Sequence, residues 1–505
     1  MNIALLLKQQ SEQLPDKIAV TCEDDKVTFM ELEEEINRCA NYLVKQGIEQ
    51  GTKVLLFIPP SIELPIVTFA LFKIGAIPIF IDPGMGQKNL RKAVSEVAPD
   101  AMIAVPLIRK LSRIFRIAFK SVKVKLDYIT IREEAKNESC SFEEYDAPED
   151  EMAAILFTSG GTGKPKGVVY THKIFVQQTK LLQEMYSLTP DDVDCPCFSL
   201  FSFFTISMGL TSCVPKMNAS QPAKTDPSGI VRNLQDNKTT FAAGSPAIWI
   251  KVADYCLLHD IQLPDLKHLV MFGAPVDVEM HEKWHKILPN GSTYTPYGAT
   301  ESLPISNISG EYILENTADL TLEGAGVCVG KAVPSVEVRI YNEDEIIVSG
   351  DTTTKEYYNE PDATLKSKLT IDGKLWHKVG DVGTIDEEGR IWFWGRTNHV
   401  IKLGKKKLYP VPCQTVFNQH EKIKRTALIG PSIDGEIVPS LVIELHDGSA
   451  ELTDSLLEDL FAIRDSFEFT QPIKHFFVKK SFPVDVRHNI KIDNLALCDW
   501  AENIR

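Results

Sequence analysis

At 505 residues the chain exceeds what one ordinary hydrophobic core holds, so two or more domains are expected. A hydrophobic content of 44% with 24% charged residues describes a folded globular protein and argues against disorder. A net charge of -15 argues against a general nucleic-acid binder, whose affinity rests on a basic, phosphate-neutralising surface.

In chain order, the first ten residues carry an apolar patch at Ile3 to Leu7 but no basic leader and no small-residue cleavage site, which reads as cytoplasmic. Helical patterns over 28–46 and 64–72 alternate with short apolar runs at 53–58, 77–81 and 101–105. The longest apolar stretch, 65–81, is broken by Lys73, Gly75 and Pro78, which suits a buried helix followed by a strand better than a bilayer span. Over 107–120, Leu107, Ile108, Leu111, Ile114, Phe115 and Ala118 follow one helical face while Arg109, Lys110, Arg113, Arg116 and Lys120 lie elsewhere. This basic amphipathic helix has two readings: packing on its own domain, or peripheral contact with an acidic lipid surface or a partner protein.

Further apolar runs at 268–272 and 292–295 continue the alternation, which points to α/β layers with largely parallel sheets. Residues 324–395 change to short strands with charged turns, including Val338-Arg339-Ile340-Tyr341, Glu345-Ile346-Ile347-Val348 and Arg390-Ile391-Trp392-Phe393-Trp394, a mainly antiparallel segment. The last hundred or so residues return to mixed structure, with strands at 426–429 and 440–444 and a helix near 456–465. The fold class is therefore α/β: layered α/β subdomains, a β-rich subdomain (about 324–397) and a small α+β part at the end. Ten scattered cysteines, with Cys195-Pro196-Cys197 the only close pair, lack zinc-knuckle spacing and read as reduced thiols.

The segment richest in chemistry is Thr158-Ser159-Gly160-Gly161-Thr162-Gly163-Lys164-Pro165-Lys166-Gly167, between the apolar runs Ala153-Ala154-Ile155-Leu156-Phe157 and Val168-Val169-Tyr170. Glycines let backbone N–H groups close on an anion, the hydroxyls add donors, and the lysines add charge. It is not a kinase-type P-loop: Thr158 stands where that motif needs its first glycine, and Pro165 replaces the magnesium-binding hydroxyl and blocks the following helix. The plain alternative is a flexible hairpin turn.

Four further segments fit a nucleoside triphosphate. Gly273-Ala274-Pro275 follows an apolar strand and offers thin backbone for a flat base. Tyr297-Gly298-Ala299-Thr300-Glu301 offers a ring, open backbone, a hydroxyl, and a carboxylate for a hard cation such as Mg²⁺. Asp381 suits a ribose diol as an acceptor, and Arg396 would lie near the same sugar or phosphate. Lys491 sits in the polar stretch Arg487-His488-Asn489-Ile490-Lys491. Each of these, taken singly, also reads as a turn or a surface residue.

In this order and spacing the segments resemble the adenylate-forming superfamily of acyl-CoA synthetases, adenylation domains and luciferases, over nearly the whole chain. Three further segments, Ile81-Asp82-Pro83-Gly84-Met85-Gly86, Gly324-Ala325-Gly326-Val327-Cys328-Val329-Gly330 and Phe198-Ser199-Leu200-Phe201-Ser202-Phe203-Phe204 leading to Met208-Gly209, narrow the resemblance together with Phe482-Pro483-Val484-Asp485-Val486-Arg487-His488-Asn489. They resemble the β-lactone synthetases of bacterial long-chain olefin biosynthesis. The resemblance implies ATP and Mg²⁺ bound by Thr158, Ser159, Gly160, Gly161, Thr162, Gly163, Lys166, Gly273, Ala274, Pro275, Tyr297, Gly298, Ala299, Thr300, Asp381 and Arg396. Glu301 would be the metal ligand, and Lys491, Glu301 and Thr300 the catalytic residues.

It implies adenylation of a long-chain 3-hydroxy acid or fatty acid, ring closure by the substrate's own β-hydroxyl, and work beside other hydrocarbon-pathway enzymes. Alternatives are a fatty acyl-CoA ligase, which would need CoA, and a ligase loading a carrier protein. Gly161 replaces a usual Ser or Thr, His488-Asn489-Ile490 a usual Ser-Gly, and Asn398 the usual Asp or Lys of the hinge. Through that hinge the resemblance implies a division into a large N-terminal domain, 1–397, and a small α+β domain, 398–505. His172 and His377 are candidates for the base of the second step because they flank motifs. Phe201, Phe203, Phe204 and Met208 either line an alkyl channel or pack a core.

Overall fold

The computed structural model describes residues 1–158, 164–218, 221, 224–484 and 492–504. Among the described residues, thirteen strands precede the glutamate motif: β1 Ile18–Cys22, β2 Asp25–Thr28, β3 Lys53–Phe57, β4 Ile77–Phe80, β5 Ala101–Ala104, β6 Val124–Asp127, β7 Met152–Thr158, β8 Lys166–Thr171, β9 Val193–Pro196, β10 Thr211–Val214, β11 Phe241–Gly244, β12 His268–Met271 and β13 Ser292–Tyr294. They form two sheets, in the orders β6-β5-β3-β4-β7-β8 and β13-β12-β11-β9-β10-β1-β2. Both are parallel except for an antiparallel strand at one edge, β8 on β7 and β2 on β1. Ligands of such sheets gather at the carboxyl ends of the strands. β7 ends there at Thr158, where the glycine-rich segment begins, Gly273 follows β12, and Tyr297 follows β13.

Helices Phe29–Lys45, Glu63–Ile74, His172–Tyr186 and Phe201–Ser207 contribute to one core shared by both sheets. Phe69 meets Phe203 edge-on at 6.0 Å, and Phe72 meets Phe175 at 5.7 Å. Local sequence sets the helix ends. Thr28 and Glu31 form a reciprocal capping box, and Thr171 accepts from the Ile174 amide at the start of the helix after β8. Gly75 ends its helix at φ 78°, a conformation that disfavours other residues. Inside the core, Lys73 is 1% exposed and is held by Glu33 and, at 2.7 Å, by Asn37 Oδ1, so a buried ammonium is paired rather than free.

The helix expected over 107–120 is shorter. Residues Pro106–Ile114 are helical and the chain then turns, so that Ile108, Phe115, Ala118 and Phe119 pack inward while Leu107, Ile114 and Ile117 face solvent. A single helical face cannot satisfy both halves of the segment once the chain turns at Phe115.

Residues 327–396 form the expected antiparallel sheet, with strands Val327–Cys328, Ile391–Arg396, Lys374–Ile385, Glu345–Gly350 and Val336–Tyr341 in that order. Its register places Asp381 directly opposite Arg396. The smaller C-terminal domain has a three-stranded sheet, Ile423–Ile429, Ser440–Leu445 and His475–Val478, with its own core around Phe417, Leu441, Ile443 and Leu460. It touches the β-rich sheet through Lys407 and Tyr409, which donate to Asp344 Oδ2 at 2.8 and 3.0 Å. All ten cysteines are free thiols, seven of them buried.

Candidate active site

The antiparallel pair β7/β8 matches Thr158 with Lys166 and Phe157 with Gly167, so the two described ends of the glycine-rich segment lie side by side. Ser159, Gly160, Gly161, Thr162 and Gly163 lie outside the described residues. Gly167 is required by packing: a Cβ there would stand 2.8 Å from Ile155 Cγ2. Lys164 pairs with Glu360 and, at 3.4 Å, with Glu96, tying the hairpin base to the neighbouring helices. Lys166 lies 4.9 Å from the centre of the Tyr357 ring.

From Tyr357 a chain of contacts crosses the site. The Tyr357 hydroxyl donates to Glu301 Oε1 at 2.6 Å, and the Tyr358 amide donates to Gly167 O at 2.7 Å, so one segment holds both hairpin and glutamate. Tyr170, on β8, donates to Thr300 O at 2.7 Å. The Glu301 carbonyl accepts from the amide and hydroxyl of Thr354, at 2.8 and 3.1 Å, and Thr354 O accepts from Lys368. Burial lowers the Lys368 ammonium to about 8, with Glu301 opposing the shift. Tyr357, Tyr170 and Lys368 escaped the sequence reading because no spacing links them to residues 300–301.

At the other end, Tyr297 donates to Asp381 Oδ2 and Arg396 Nη1 to Oδ1, both at 2.7 Å. Asp381 is 4% exposed. Burial pushes its pKa up, while Arg396 and Tyr297 favour the ionised form. The same burial, with Asp381 alongside, raises the Tyr297 phenol well above its ordinary value, so it stays a donor. The expected base motif and ribose pair are thus one hydrogen-bonded unit. Gly273 lies at φ 90° and, with Pro275, stays exposed beyond β12, leaving room above the backbone.

Lys491 lies outside the described residues, as do Arg487 to Ile490. Its described flanks are joined by an antiparallel bridge between Val484 and Ile492 and by Asp493 N donating to Pro483 O at 2.9 Å. Burial and Arg396 lower the His399 pKa, and the Asp493 carboxylate opposes the shift.

One histidine candidate is corrected, and one open alternative is decided for most of its residues. His172 is 2% exposed, its Nδ1 accepts from the Ile3 amide at 3.2 Å, and burial lowers it to about 4; it is a core histidine holding the N-terminal segment. His377 is as buried as His172, at 2% exposed, but it lies opposite Lys368 in the sheet register; burial and the cations Lys368, Lys166 and Arg396 hold its pKa well below the ordinary value, and its Nδ1 has no partner among the described residues. Of the phenylalanine cluster, Phe201, Phe203 and Met208 are core, and Phe204 is partly buried against them. Phe201 stacks on Phe272 at 5.3 Å, Phe203 packs on Phe80 at 6.0 Å, and both, with Met208, are at most 7% exposed.

Among the described residues no group of three or more His, Cys, Asp or Glu gathers at one point. A single carboxylate such as Glu301 suits Mg²⁺, which is bound by one or two carboxylates together with substrate phosphates and water.

Two layered parallel sheets, a hairpin of phosphate-binding composition, and a tyrosine-carboxylate-guanidinium unit at the strand ends define a nucleotide-using enzyme. The AMP-binding enzyme family profile matches residues 7–358, and the chain belongs to that family. Over its whole length it is 35% identical to the olefin beta-lactone synthetase of Xanthomonas campestris pv. campestris, covering 98% of that protein. It is 34% identical to the olefin beta-lactone synthetase of Stenotrophomonas maltophilia, over 99% of this chain and 98% of the relative. Among solved structures, O-succinylbenzoate coenzyme A synthetase from Bacillus subtilis, in complex with ATP and magnesium ion, superposes with a TM-score of 0.80 at 20% identity, over 97% of this chain and 98% of the other. That likeness confirms the adenylate-forming fold.

Proposed function

We propose that the chain is an AMP-forming ligase that activates a long-chain 3-hydroxy acid with ATP and then closes it to a β-lactone. The full-length match to two olefin beta-lactone synthetases carries this reading. Two clusters, Lys166 with Tyr357 and Glu301, and Tyr297 with Asp381 and Arg396, support it.

In the first half-reaction a substrate carboxylate oxygen bonds to the α-phosphorus of ATP as the bond to pyrophosphate breaks. Two anions meet, so positioned positive charge is required. The hairpin residues Thr158 to Gly163 with Lys166 would hold the phosphates, and Lys491 would bridge carboxylate and α-phosphate. Glu301 would hold Mg²⁺, which when bound neutralises charge on the leaving pyrophosphate. Tyr357 orients that carboxylate, Asp381 and Arg396 hold the ribose, and residues 273–275 and 297–299 flank the base.

In the second half-reaction the substrate β-hydroxyl oxygen bonds to the activated carbonyl carbon, the bond to AMP breaks, and the hydroxyl proton leaves. An internal nucleophile has an effective molarity on the order of 10⁵ M or more in good geometry, so no thiol acceptor is needed. The division at Asn398, with the small domain delivering Lys491, and operation beside enzymes that make the hydroxy acid and consume the lactone, belong to the same proposal.

The test is product analysis by mass spectrometry and NMR, with ATP, Mg²⁺ and a long 2-alkyl-3-hydroxy acid, with and without CoA. A dehydrated, ring-closed product and AMP are expected without CoA. A thioester formed only with CoA would make the chain an acyl-CoA ligase, and no AMP from any acid would overturn adenylation itself.

A further inference from the structure

The chain is strongly acidic, yet residues 84–126 hold ten lysines and arginines against two acids. Within this stretch Leu107 is 64% exposed, Ile114 71% and Ile117 86%. Leu107 and Ile114, seven residues apart, share one face of the helix Pro106–Ile114, and Lys110, Arg113, Arg116 and Lys120 are exposed around them. Packing on the parent domain accounts for the other half of the segment. Ile108, Phe115, Ala118 and Phe119 join the core beneath the sheet, and Arg91 of the preceding helix stacks on Phe115 at 4.9 Å. It leaves the three outward aliphatic side chains unexplained. Arg109 is neutralised by Asp127 at 2.9 Å and belongs to the inward half.

We propose that this face is a docking surface for an anionic phospholipid bilayer, with Leu107, Ile114 and Ile117 entering the interface and Lys110, Arg113, Arg116 and Lys120 meeting headgroup phosphates. Charge decides the occupant. A neutral apolar groove would suit a protein helix, whereas exposed aliphatics ringed by like cations, on a protein whose remaining surface repels an anionic membrane, suit one oriented contact. Among the described residues no helix is long and apolar enough to cross a membrane, so the contact is peripheral.

The topology adds a consequence. The helix begins at the carboxyl end of β5, on the edge of the sheet where β7 ends at Thr158. Three strand spacings separate β5 from β7, about 14 Å at the usual inter-strand distance. Docking there sets the activation site close to the bilayer, where a long-chain acid partitions. That last step rests on the proposed function; the docking surface itself does not.

Flotation of the full-length protein with vesicles tests it. Binding is expected to mixed phosphatidylglycerol and phosphatidylcholine vesicles, to fall as ionic strength rises, and to be absent with phosphatidylcholine alone. Each basic side chain near such a surface contributes about fivefold to partitioning, so Lys110→Glu/Arg113→Glu/Arg116→Glu should lower binding by about a hundredfold or more. Leu107→Ser/Ile114→Ser/Ile117→Ser should lower it by about tenfold or more while keeping every charge. All six sites are exposed, so the thermal midpoint and AMP formation from a water-soluble acid should be unchanged in both variants. Lys402→Glu/Lys405→Glu/Lys406→Glu, in another exposed lysine cluster, should leave vesicle binding intact. No binding to the anionic vesicles, equal binding to neutral ones, or equal loss in the lysine-cluster control would overturn the proposal.

Discussion

Tyr297→Phe removes one hydroxyl and isolates what it does for Asp381. The hydrogen bond is 2.7 Å long and ends on a carboxylate that is 4% exposed, whose other oxygen is held by Arg396. A hydrogen bond to a charged group contributes about 1.5–3 kcal/mol, and the acceptor left behind is out of reach of bulk water. The Arg396 side chain is 42% exposed, so solvent screening lets it make up little of the loss. The expected cost is about 2 kcal/mol of unfolding free energy, measured from urea transitions.

If the same hydrogen bond orients Asp381 toward a ribose, the KM for ATP should rise about tenfold with kcat less affected, the pattern of lost ground-state binding. Asp381→Asn should cost more, because an amide can turn its own donor toward Tyr297 or Arg396. Tyr312→Phe, at a tyrosine 37% exposed, serves as the control and should stay within about 0.5 kcal/mol. If Tyr297→Phe behaves like that control in both measurements, Asp381 is not organised by Tyr297 and the joining of the two motifs has no energetic content.

Lys491→Ala should lose adenylation by far more than it loses ATP binding, read by pyrophosphate exchange against equilibrium binding; intact turnover would remove its assignment. Glu301→Gln should weaken the response of kcat to Mg²⁺ and lower activity by about a hundredfold or more, whereas Tyr357→Phe, which only frees Glu301 Oε1, should cost about tenfold. Stability should fall on acidification from pH 6.5 toward 4, because His172 and His281 are both buried and lowered to about 4 while an unfolded histidine binds its proton near 6.5. The unfolded state takes up protons first in that window, for a loss of about 3 kcal/mol per histidine at its lower end; a urea midpoint that stays flat for wild type, or is equally steep in His172→Gln, would refute the assignment.

Much of the fold was legible because its signals are local. The alternation of helical and apolar runs named the layered α/β domain, since periods of 3.6 and 2 are imposed by each backbone on its own side chains. The helical patterns over 28–46 and 64–72 lie within a residue or two of the helices Phe29–Lys45 and Glu63–Ile74, whose ends the Thr28–Glu31 capping box and Gly75 set locally. Pro165 ruled out a helix after the glycine-rich segment, and β8 follows it. Motif order named the family, which the profile match over 7–358 bears out.

What sequence alone left open depends on which segments meet. Phe201, Phe203 and Met208 read equally as channel or core until Phe272 and Phe80 were found against them. His172 and His377 looked alike beside their motifs and are equally buried; the bond from the Ile3 amide occupies the first, whereas the second lies opposite Lys368 in the sheet with its Nδ1 unpartnered among the described residues. The basic segment after 106 kept one helical pattern on paper, but the turn at Phe115 divides it into a buried half and an exposed half.

The sequence by itself determined the elements, the family and the residue types available for phosphate, sugar and metal, because propensity and motif chemistry act over a few neighbours. Only the tertiary structure decided that Tyr357 grips Glu301 and that Tyr297 and Arg396 share Asp381. Those partners lie 56, 84 and 15 residues apart in the chain, and sheet register and layer packing bring them within hydrogen-bonding distance.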